Sequence, residues 1–226
     1  MHLQPQKPDT IRTIKHIFPL VLGLFFVSSS HLAFAQSPVA SQEFTVGDYA
    51  EVDVSTSGGR IEVIGKSTTK VTVNAIAYVN GRRSSNANLD NWSITIEEIQ
   101  GKIVAKAEKE SNMGWLRCCK DESIAFEIET PVNTELNART SGGSVSIENL
   151  SGNQYARTSG GRMEANNIQG NVEMRTSGGA IRLENIEGQA EVATSGGSIR
   201  AKKVTQGLKA RTSGGSLHLQ EISGSL

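Results

Sequence analysis

The chain has 226 residues, and its 23 lysines and arginines are balanced by 23 aspartates and glutamates, so the formal net charge is zero. This balance excludes the proteins that bind nucleic acid through a large excess of positive charge, because phosphate binding needs clustered Lys and Arg. Three of the four histidines lie before residue 36, in the stretch interpreted below as a leader. Without that stretch the chain keeps only His218, which excludes a histidine-based triad or a multi-histidine zinc site.

Residues 1–35 are typical of a secretory leader. Three basic residues precede position 16, an apolar stretch covers Phe18–Val27, and Ala33-Phe34-Ala35 has the small-x-small pattern of a cleavage site. An uncleaved anchor is the alternative, but Pro19 and the polar run Ser28–His31 weaken a membrane span of about 20 apolar residues. We predict cleavage after Ala35 and export to the periplasm, the outer surface or the medium, with membrane contact only through an uncleaved leader.

The exported part divides into three stretches. Residues 36–43 are a short linker, residues 44–139 form a divergent β-rich part, and residues 140–226 form a regular repeat. Without the leader the chain keeps 20 basic and 22 acidic residues, a net charge of −2. The adjacent Cys118 and Cys119 allow free thiols, a strained disulfide between neighbours or a bridge to another chain, and free thiols are the default interpretation.

The divergent part contains damaged copies of the repeat. Residues 52–63 match one coil, residues 71–75 continue it out of register, and residues 94–105 match another coil. The alternative is a separate N-terminal β-sandwich. Two insertions, Asn80–Asn91 and Glu108–Glu122, stand where glycine corners are expected, so we predict that they project side by side at one edge.

These insertions carry the first group of candidate interaction residues: Arg82, Arg83, Trp115 and Arg117. Aromatic and arginine side chains often anchor interfaces, and loops on a regular scaffold often carry function. The alternative is that Trp115 folds back over the end of the scaffold. Replacement of the second insertion by a short turn should distinguish these two roles.

The regular part repeats Thr-Ser-Gly-Gly every 18 residues, beginning at Thr140, Thr158, Thr176, Thr194 and Thr212. A fixed period of this length predicts stacked β coils. Because side chains alternate along a strand, each coil can be divided into inward and outward positions. The inward columns are apolar, with Gln154 as the exception; the first column is Val145, Met163, Ile181, Ile199 and Leu217.

Polar residues between the strands are predicted to shape turns. Ser-Gly-Gly is expected to reverse the chain through positive φ, which glycine adopts without a Cβ clash. Gly152 and its equivalents mark the opposite bend, next to a column of Asn149, Asn167 and Asn185. We interpret the Thr, Ser and Asn ladders as turn stabilisation and not as ligand contacts.

An outward column contains the second group of candidate interaction residues: Arg139, Arg157, Arg175 and Arg211, interrupted by Ala193. Glu135, Glu173 and Glu191 occupy columns within reach. The favoured interpretation is a solvated face whose charges neutralise one another. The alternative is a stripe that binds sulfated or phosphorylated envelope glycans through forked guanidinium donors.

The residues of the repeat argue against metal-dependent or catalytic chemistry. The sequence from Thr140 onward contains no aspartate, which argues against calcium in the coils. Glu173 and Glu191 could form a carboxylate pair for polysaccharide cleavage, but arginines flank them, which is typical of a surface column. We therefore predict no enzyme activity, no cofactor and no metal.

Two stretches carry a family resemblance: FTVGDYAEVDVSTSGGRIEVIG at residues 44–65 and FEIETPVNTELNARTSGGSVSIENLSG at residues 126–152, which leads into the repeats. From about residue 43 onward the chain resembles the bacterial putative-adhesin family, a β-strand-repeat domain of unknown function akin to the head domains of autotransporter adhesins. The resemblance implies an all-β, right-handed parallel β-solenoid outside the cytoplasm, and it brings no catalytic residues.

The combined prediction is an exported, non-enzymatic solenoid that acts in surface adhesion or envelope scaffolding. Its partner is an unidentified surface protein or glycan, and its oligomeric state is open. The alternative is a module that binds envelope glycan or lipid A through the arginine column. A polysaccharide lyase or hydrolase is a third class, which the architecture permits.

Overall fold

The computed structural model describes residues 37–110 and 122–224. All described residues belong to one compact unit, Ala35–Leu226. This part is all-β, with 18 strands and no helix, and therefore with no helix able to cross a membrane. The predicted leader lies outside the described residues.

The strands form two ladders joined into one mixed sheet by a pairing of Ser151 with Asn133. The first ladder contains β1 (Ala40–Thr45), β3 (Ile61–Lys66), β4 (Lys70–Val79), β8 (Glu122–Pro131), β10 (Val145–Ser151), β12 (Met163–Gln169), β14 (Ile181–Glu187), β16 (Ile199–Val204) and β18 (Leu217–Ile222). The second contains β2 (Tyr49–Thr56), β6 (Trp92–Ile99), β7 (Lys102–Lys109), β9 (Asn133–Thr140), β11 (Gln154–Arg157), β13 (Val172–Thr176), β15 (Ala190–Thr194) and β17 (Leu208–Thr212). The short β5 (Arg82–Arg83) forms a hairpin with the end of β4.

The regular repeats pair in parallel with a shift of 18 residues, as their period predicts. Val145 pairs with Met163, and Met163 pairs with Ile181, so identical positions of successive coils lie side by side. These inward side chains are 1% exposed or less, and each such side chain stabilises the fold by about 1.5–3 kcal/mol. Leu217 in the last strand is 47% exposed, because no described coil covers it.

The corner glycines have a different role from the predicted one. None of the Ser-Gly-Gly glycines has a positive φ. The second glycine of each corner is required because the corners stack too closely for a side chain. A Cβ on Gly161 would lie 1.9 Å from the carbonyl oxygen of Gly143, whereas a Cβ on Gly160 would find its nearest neighbour at 3.8 Å.

The threonine before each corner ties neighbouring coils together. Thr158 donates its hydroxyl hydrogen to the carbonyl oxygen of Gly143 at 2.9 Å and accepts from the backbone N–H of Gly161 at 3.3 Å. The same pair of bonds recurs at Thr140, Thr176, Thr194 and Thr212. These hydroxyls are therefore structural, as predicted.

The asparagine column has the turn-forming role that the sequence predicts. Asn149, Asn167 and Asn185 have φ values of 58°, 54° and 55°, a region that asparagine tolerates better than most residues. Their amides also bond in series: Asn167 donates to Asn149 at 3.0 Å, and Asn185 donates to Asn167 at 2.9 Å. These amides are occupied by one another and are not aimed at a ligand.

The divergent half departs from the predicted parallel coils. Residues 94–105 form an antiparallel hairpin of β6 and β7, in which Ile99 pairs with Lys102. Gln100 and Gly101 both have positive φ, 53° and 81°, which is the geometry of a two-residue hairpin turn. Strand β4 likewise runs antiparallel to β8, and β1 runs antiparallel to β4, so residues 71–75 are not part of a displaced parallel coil.

The coil formed by β2 and β3 lies between strands that come much later in the chain. Strand β2 pairs along its whole length with β9 on one side and contacts β7 on the other. Strand β3 lies between β8 and β10. Both halves also share one hydrophobic core, which does not fit a separate N-terminal sandwich.

Candidate functional site

The outward side of the second ladder carries the predicted arginine column and, beside it, a column of mixed character. We call this surface the Arg face. The backbone register aligns Arg139 with Arg157, Arg157 with Arg175, Arg175 with Ala193, and Ala193 with Arg211. The neighbouring column consists of Asp53, Asn137, Tyr155, Glu173, Glu191 and Lys209.

A long open groove of about 810 Å³ runs along the mixed column of the Arg face, and Arg139 is the one member of the arginine column among the residues that line it. Its lining comes from seven strands of the second ladder, from Lys102 on β7 to Lys209 on β17. At a spacing of about 4.8 Å, six strand intervals give the groove a length of about 29 Å. This open shape suits an extended ligand. Small molecules usually bind in pockets that enclose most of their surface.

The C-terminal half of the groove is neutralised by ion pairs. Arg175 donates to Glu173 at 2.8 Å and to Glu191 at 3.1 Å, and Lys209 donates to Glu191 at 3.2 Å. The hydrogen bond from Lys209 lowers the pKa of Glu191, and the hydrogen bond to Glu173 raises the pKa of Arg175. The ion pairs among Arg175, Glu173, Glu191 and Lys209 form the mutually neutralised face predicted from the sequence, whereas Arg211 of the same half makes no ion pair with the described residues.

The N-terminal half of the groove has weaker pairing and contains an aromatic ring. Arg139 lies 3.7 Å from Oδ1 of Asp53. Oδ2 of the same carboxylate accepts a hydrogen bond from Asn137 at 3.2 Å. The Arg139 guanidinium lies over the Tyr155 ring, 5.8 Å from its centroid. Arg157 makes no ion pair or hydrogen bond with the residues that the structure describes, and the same holds for Arg211.

Asp53, Asn137 and Tyr155 are site residues that the sequence prediction missed. The signal that could have identified them is the 18-residue register itself. Tyr155 stands 18 positions before Glu173, and Asn137 stands 18 before Tyr155, so both belong to the column that contains the predicted glutamates. Asp53 joins this column only through the pairing of β2 with β9, which the repeat pattern does not reveal.

Arg83, from the first insertion, is held in the fold. Its guanidinium bonds to Glu127 and donates to the Tyr78 hydroxyl at 3.3 Å. Arg60 donates to the same carboxylate at 2.7 Å and lies over the Tyr78 ring at 5.5 Å. Burial alone would raise the pKa of Glu127, but the hydrogen bonds from Arg83 and Arg60 outweigh burial and lower it.

Of the other three candidates on the insertions, the structure describes only Arg82. Arg82 is exposed at the tip of the β4–β5 hairpin. Trp115 and Arg117, with the two cysteines, lie outside the described residues. Val79 pairs with Glu122, and Trp92 pairs with Lys109, so the strands that flank the two insertions end at the same edge.

Residues 37–110 and 122–224 contain no group of three or more His, Cys, Asp or Glu side chains that could hold a metal ion. The two carboxylates considered for catalysis, Glu173 and Glu191, are both bonded to cationic side chains.

No family model matches the chain, and no curated protein matches it. Among solved structures it is similar to a putative adhesin from Bacteroides fragilis, with 14% identity and a TM-score of 0.37, covering 80% of this chain and 96% of the other. A putative cell adhesion protein from Clostridium sporogenes has 9% identity and a TM-score of 0.33, covering 80% and 98%. A putative lipid binding protein from Parabacteroides distasonis has 18% identity and a TM-score of 0.32, covering 85% and 98%.

Two of these three structures carry the names of bacterial adhesion proteins. Because the likenesses are faint, function has to be inferred from the residues of this chain.

Proposed function

We propose that this protein is an exported, non-enzymatic adhesion or envelope-scaffolding module, built as a right-handed parallel β-solenoid whose Arg face binds an extended surface ligand. The observation that carries this proposal is the open groove across seven strands, lined by alternating charges, amides and one aromatic ring. An extended glycan or peptide can contact such a surface over several coils. Contacts that are individually weak then add along the groove.

The electrostatics of the groove support binding and not glycoside cleavage. A catalytic acid needs a carboxyl group whose pKa is raised, so that it is still protonated at neutral pH. The pKa of Glu191 is lowered instead, by Lys209 and then by Arg175 and Arg211. Glu173 bonds to Arg175, so this pair of carboxylates serves the surface and not a reaction.

A second candidate function is the binding of anionic envelope glycan or lipid A through the arginine column. It is favoured by one observation, that Arg157 and Arg211 make no ion pair with an acidic side chain among the described residues. Guanidinium groups without such pairs are suited to sulfate or phosphate groups because they offer paired donors. The edge that carries the two insertions is a further candidate surface, and Arg82 is its exposed described member.

The experiment is an adhesion assay with the mature chain, residues 36–226. The immobilised protein is tested for retention of bacterial cells and on a glycan array, alongside the double variant Arg139→Ala/Tyr155→Ala. Arg162→Ala is the matched control, because Arg162 is exposed and pairs with Glu164 at 3.6 Å outside the Arg face.

We expect the double variant to lose retention and the control to keep it. Equal retention by the double variant and the wild type would remove the Arg face as the binding surface. Absence of retention together with release of sugar from a polysaccharide would overturn the non-enzymatic assignment.

A further inference from the structure

A smaller pocket lies where the Arg face meets the Ser-Gly-Gly corners. It has a volume of about 280 Å³, and its polar lining includes Arg139 and Arg157, the corner residues Ser57, Ser141 and Ser159, and Glu108. The pocket shares Arg139 with the long groove, so the two are adjacent. Its volume can admit a sulfate or phosphate group together with part of the sugar that carries it.

The positive charge in this pocket is only partly balanced. Arg139 and Arg157 are paired directly across neighbouring strands, about 4.8 Å apart along the ladder. Like charges at paired positions destabilise a sheet. Arg157 has no ion pair among the described residues, and the Asp53 carboxylate is 3.7 Å from Arg139. An anion between the two guanidinium groups would relieve this repulsion.

The corner supplies further donors. The threonine hydroxyls at the corners are occupied, because Thr140 donates to Gly59 and Thr158 donates to Gly143. No hydrogen bond within the described residues engages the hydroxyls of Ser141 or Ser159. Two guanidinium forks and two serine hydroxyls therefore lie around one pocket, and together they match the oxygens of a tetrahedral oxyanion.

The next coil shows why this combination occurs here. Arg175 occupies the same column and Ser177 the same corner position, but Arg175 bonds to Glu173 and Glu191. In the coils of Arg139 and Arg157, the residue two positions earlier is Asn137 or Tyr155 in place of a glutamate. Neither of these two coils therefore has the glutamate that neutralises Arg175, and the acidic partner of Arg139 is Asp53, at 3.7 Å.

We propose that this corner pocket binds a sulfate or phosphate ester group carried by a glycan that lies in the groove. The inference rests on the proposed binding function of the Arg face and names the ligand chemistry that it takes. Glu108 is the one carboxylate among the residues that line the pocket, and it weakens anion binding. Its neutral replacement should therefore increase affinity.

The test is calorimetric titration of the mature chain with N-acetylglucosamine 6-sulfate, N-acetylglucosamine 6-phosphate, the unesterified sugar and inorganic phosphate. Low salt, about 0.05 M, keeps electrostatic screening weak. We expect both esters to bind and the plain sugar to bind at least about tenfold more weakly, since each charge-assisted hydrogen bond adds about that factor. A comparison of the two esters identifies the preferred group.

Four variants locate the site. Arg157→Ala and Ser141→Ala/Ser159→Ala should each lower ester affinity, the first by about tenfold. Glu108→Gln should raise it severalfold. Arg162→Ala, outside the Arg face, is the matched control and should change affinity by less than about twofold, because the exposed Arg162 pairs with Glu164.

Equal losses from Arg157→Ala and Arg162→Ala would overturn the pocket, since they would indicate general attraction to the charge of the protein. Inorganic phosphate binding as tightly as the esters would overturn the glycan part. Tighter binding to vesicles containing phosphatidic acid than to either ester would assign the pocket to a lipid headgroup and also overturn it. If Arg157→Ala has no effect but the mature chain still retains cells through its Arg face, this inference fails and the adhesion function stands. If ester binding depends on Arg157 but no cells are retained, the pocket stands and the adhesion function fails.

Discussion

The corner glycines provide the sharpest test of the stacked-coil packing, because two neighbouring glycines should respond in opposite ways to the same substitution. In Gly161→Ala the new methyl carbon would lie 1.9 Å from the carbonyl oxygen of Gly143. A tolerable contact needs more than about 3.0 Å, so the two coils must separate locally by about 1 Å, a fifth of the strand spacing.

That separation strains the hydroxyl bond from Thr158 to the Gly143 carbonyl, now 2.9 Å long, which contributes about 1 kcal/mol. Overpacking adds about 1–3 kcal/mol. We therefore expect Gly161→Ala to lower the free energy of unfolding by about 2–4 kcal/mol. Gly160→Ala meets no atom closer than 3.8 Å and should be neutral or stabilising by up to about 1 kcal/mol, because alanine restricts the unfolded chain.

The assay is urea unfolding of the mature chain, followed by circular dichroism, with the midpoint and slope compared for wild type and both variants. Equal midpoints for the two variants would refute the close-approach explanation. A large loss in Gly160→Ala would show that these glycines are required for their backbone conformation after all.

Three further predictions concern the core, the charge cluster and the second insertion. Leu183→Asp should destabilise the array by several kcal/mol, because Leu183 is 1% exposed and the new carboxylate would be buried without a partner. An unchanged melting temperature would contradict the inward position of Leu183. The pKa of Glu127 is lowered in the folded protein. Its ionised carboxylate therefore adds about 0.5–1 kcal/mol to the free energy of unfolding above the unfolded-state pKa, and this addition disappears as the pH falls through the folded-state pKa. Glu127→Gln should therefore be less stable than wild type at pH 7, and in chemical unfolding the difference should narrow as the pH falls through the folded-state pKa; a constant difference would refute this linkage. Replacement of residues 110–121 by Ser-Gly-Gly should leave the unfolding midpoint nearly unchanged, because loop length alters closure entropy slowly. If this variant still retains cells, the result supports the Arg face. If it loses adhesion, binding belongs to the insertion edge.

The regular half of the fold could be predicted from the sequence because one period governs it. The spacing of Val145, Met163 and Ile181 fixes both the register and the buried side of each strand. The divergent half could not be predicted in the same way. Alternating apolar residues mark a strand but not its direction, so the antiparallel hairpin around Gln100 and Gly101 has the same pattern as a parallel coil.

The candidate site was predictable in position but not in electrostatics. The arginine column follows from the period, as do its glutamate neighbours. Which arginines are neutralised depends on side-chain geometry. Arg175 reaches Glu173 on its own strand and Glu191 on the neighbouring strand. Asp53 joins the site from a strand more than 80 residues away in sequence, through pairing that no local pattern encodes.

The insertion of the β2–β3 coil between later strands means that the order of synthesis is not the order of assembly. Residues 49–66 leave the ribosome early, yet strands β7 to β10 must arrive before either side of this coil is covered. The threonine ladder has the same dependence, because Thr140 bonds to Gly59. Long-range closures of this kind slow folding. A chain threaded outward from its N-terminus would therefore keep apolar strands exposed until residue 150 has emerged.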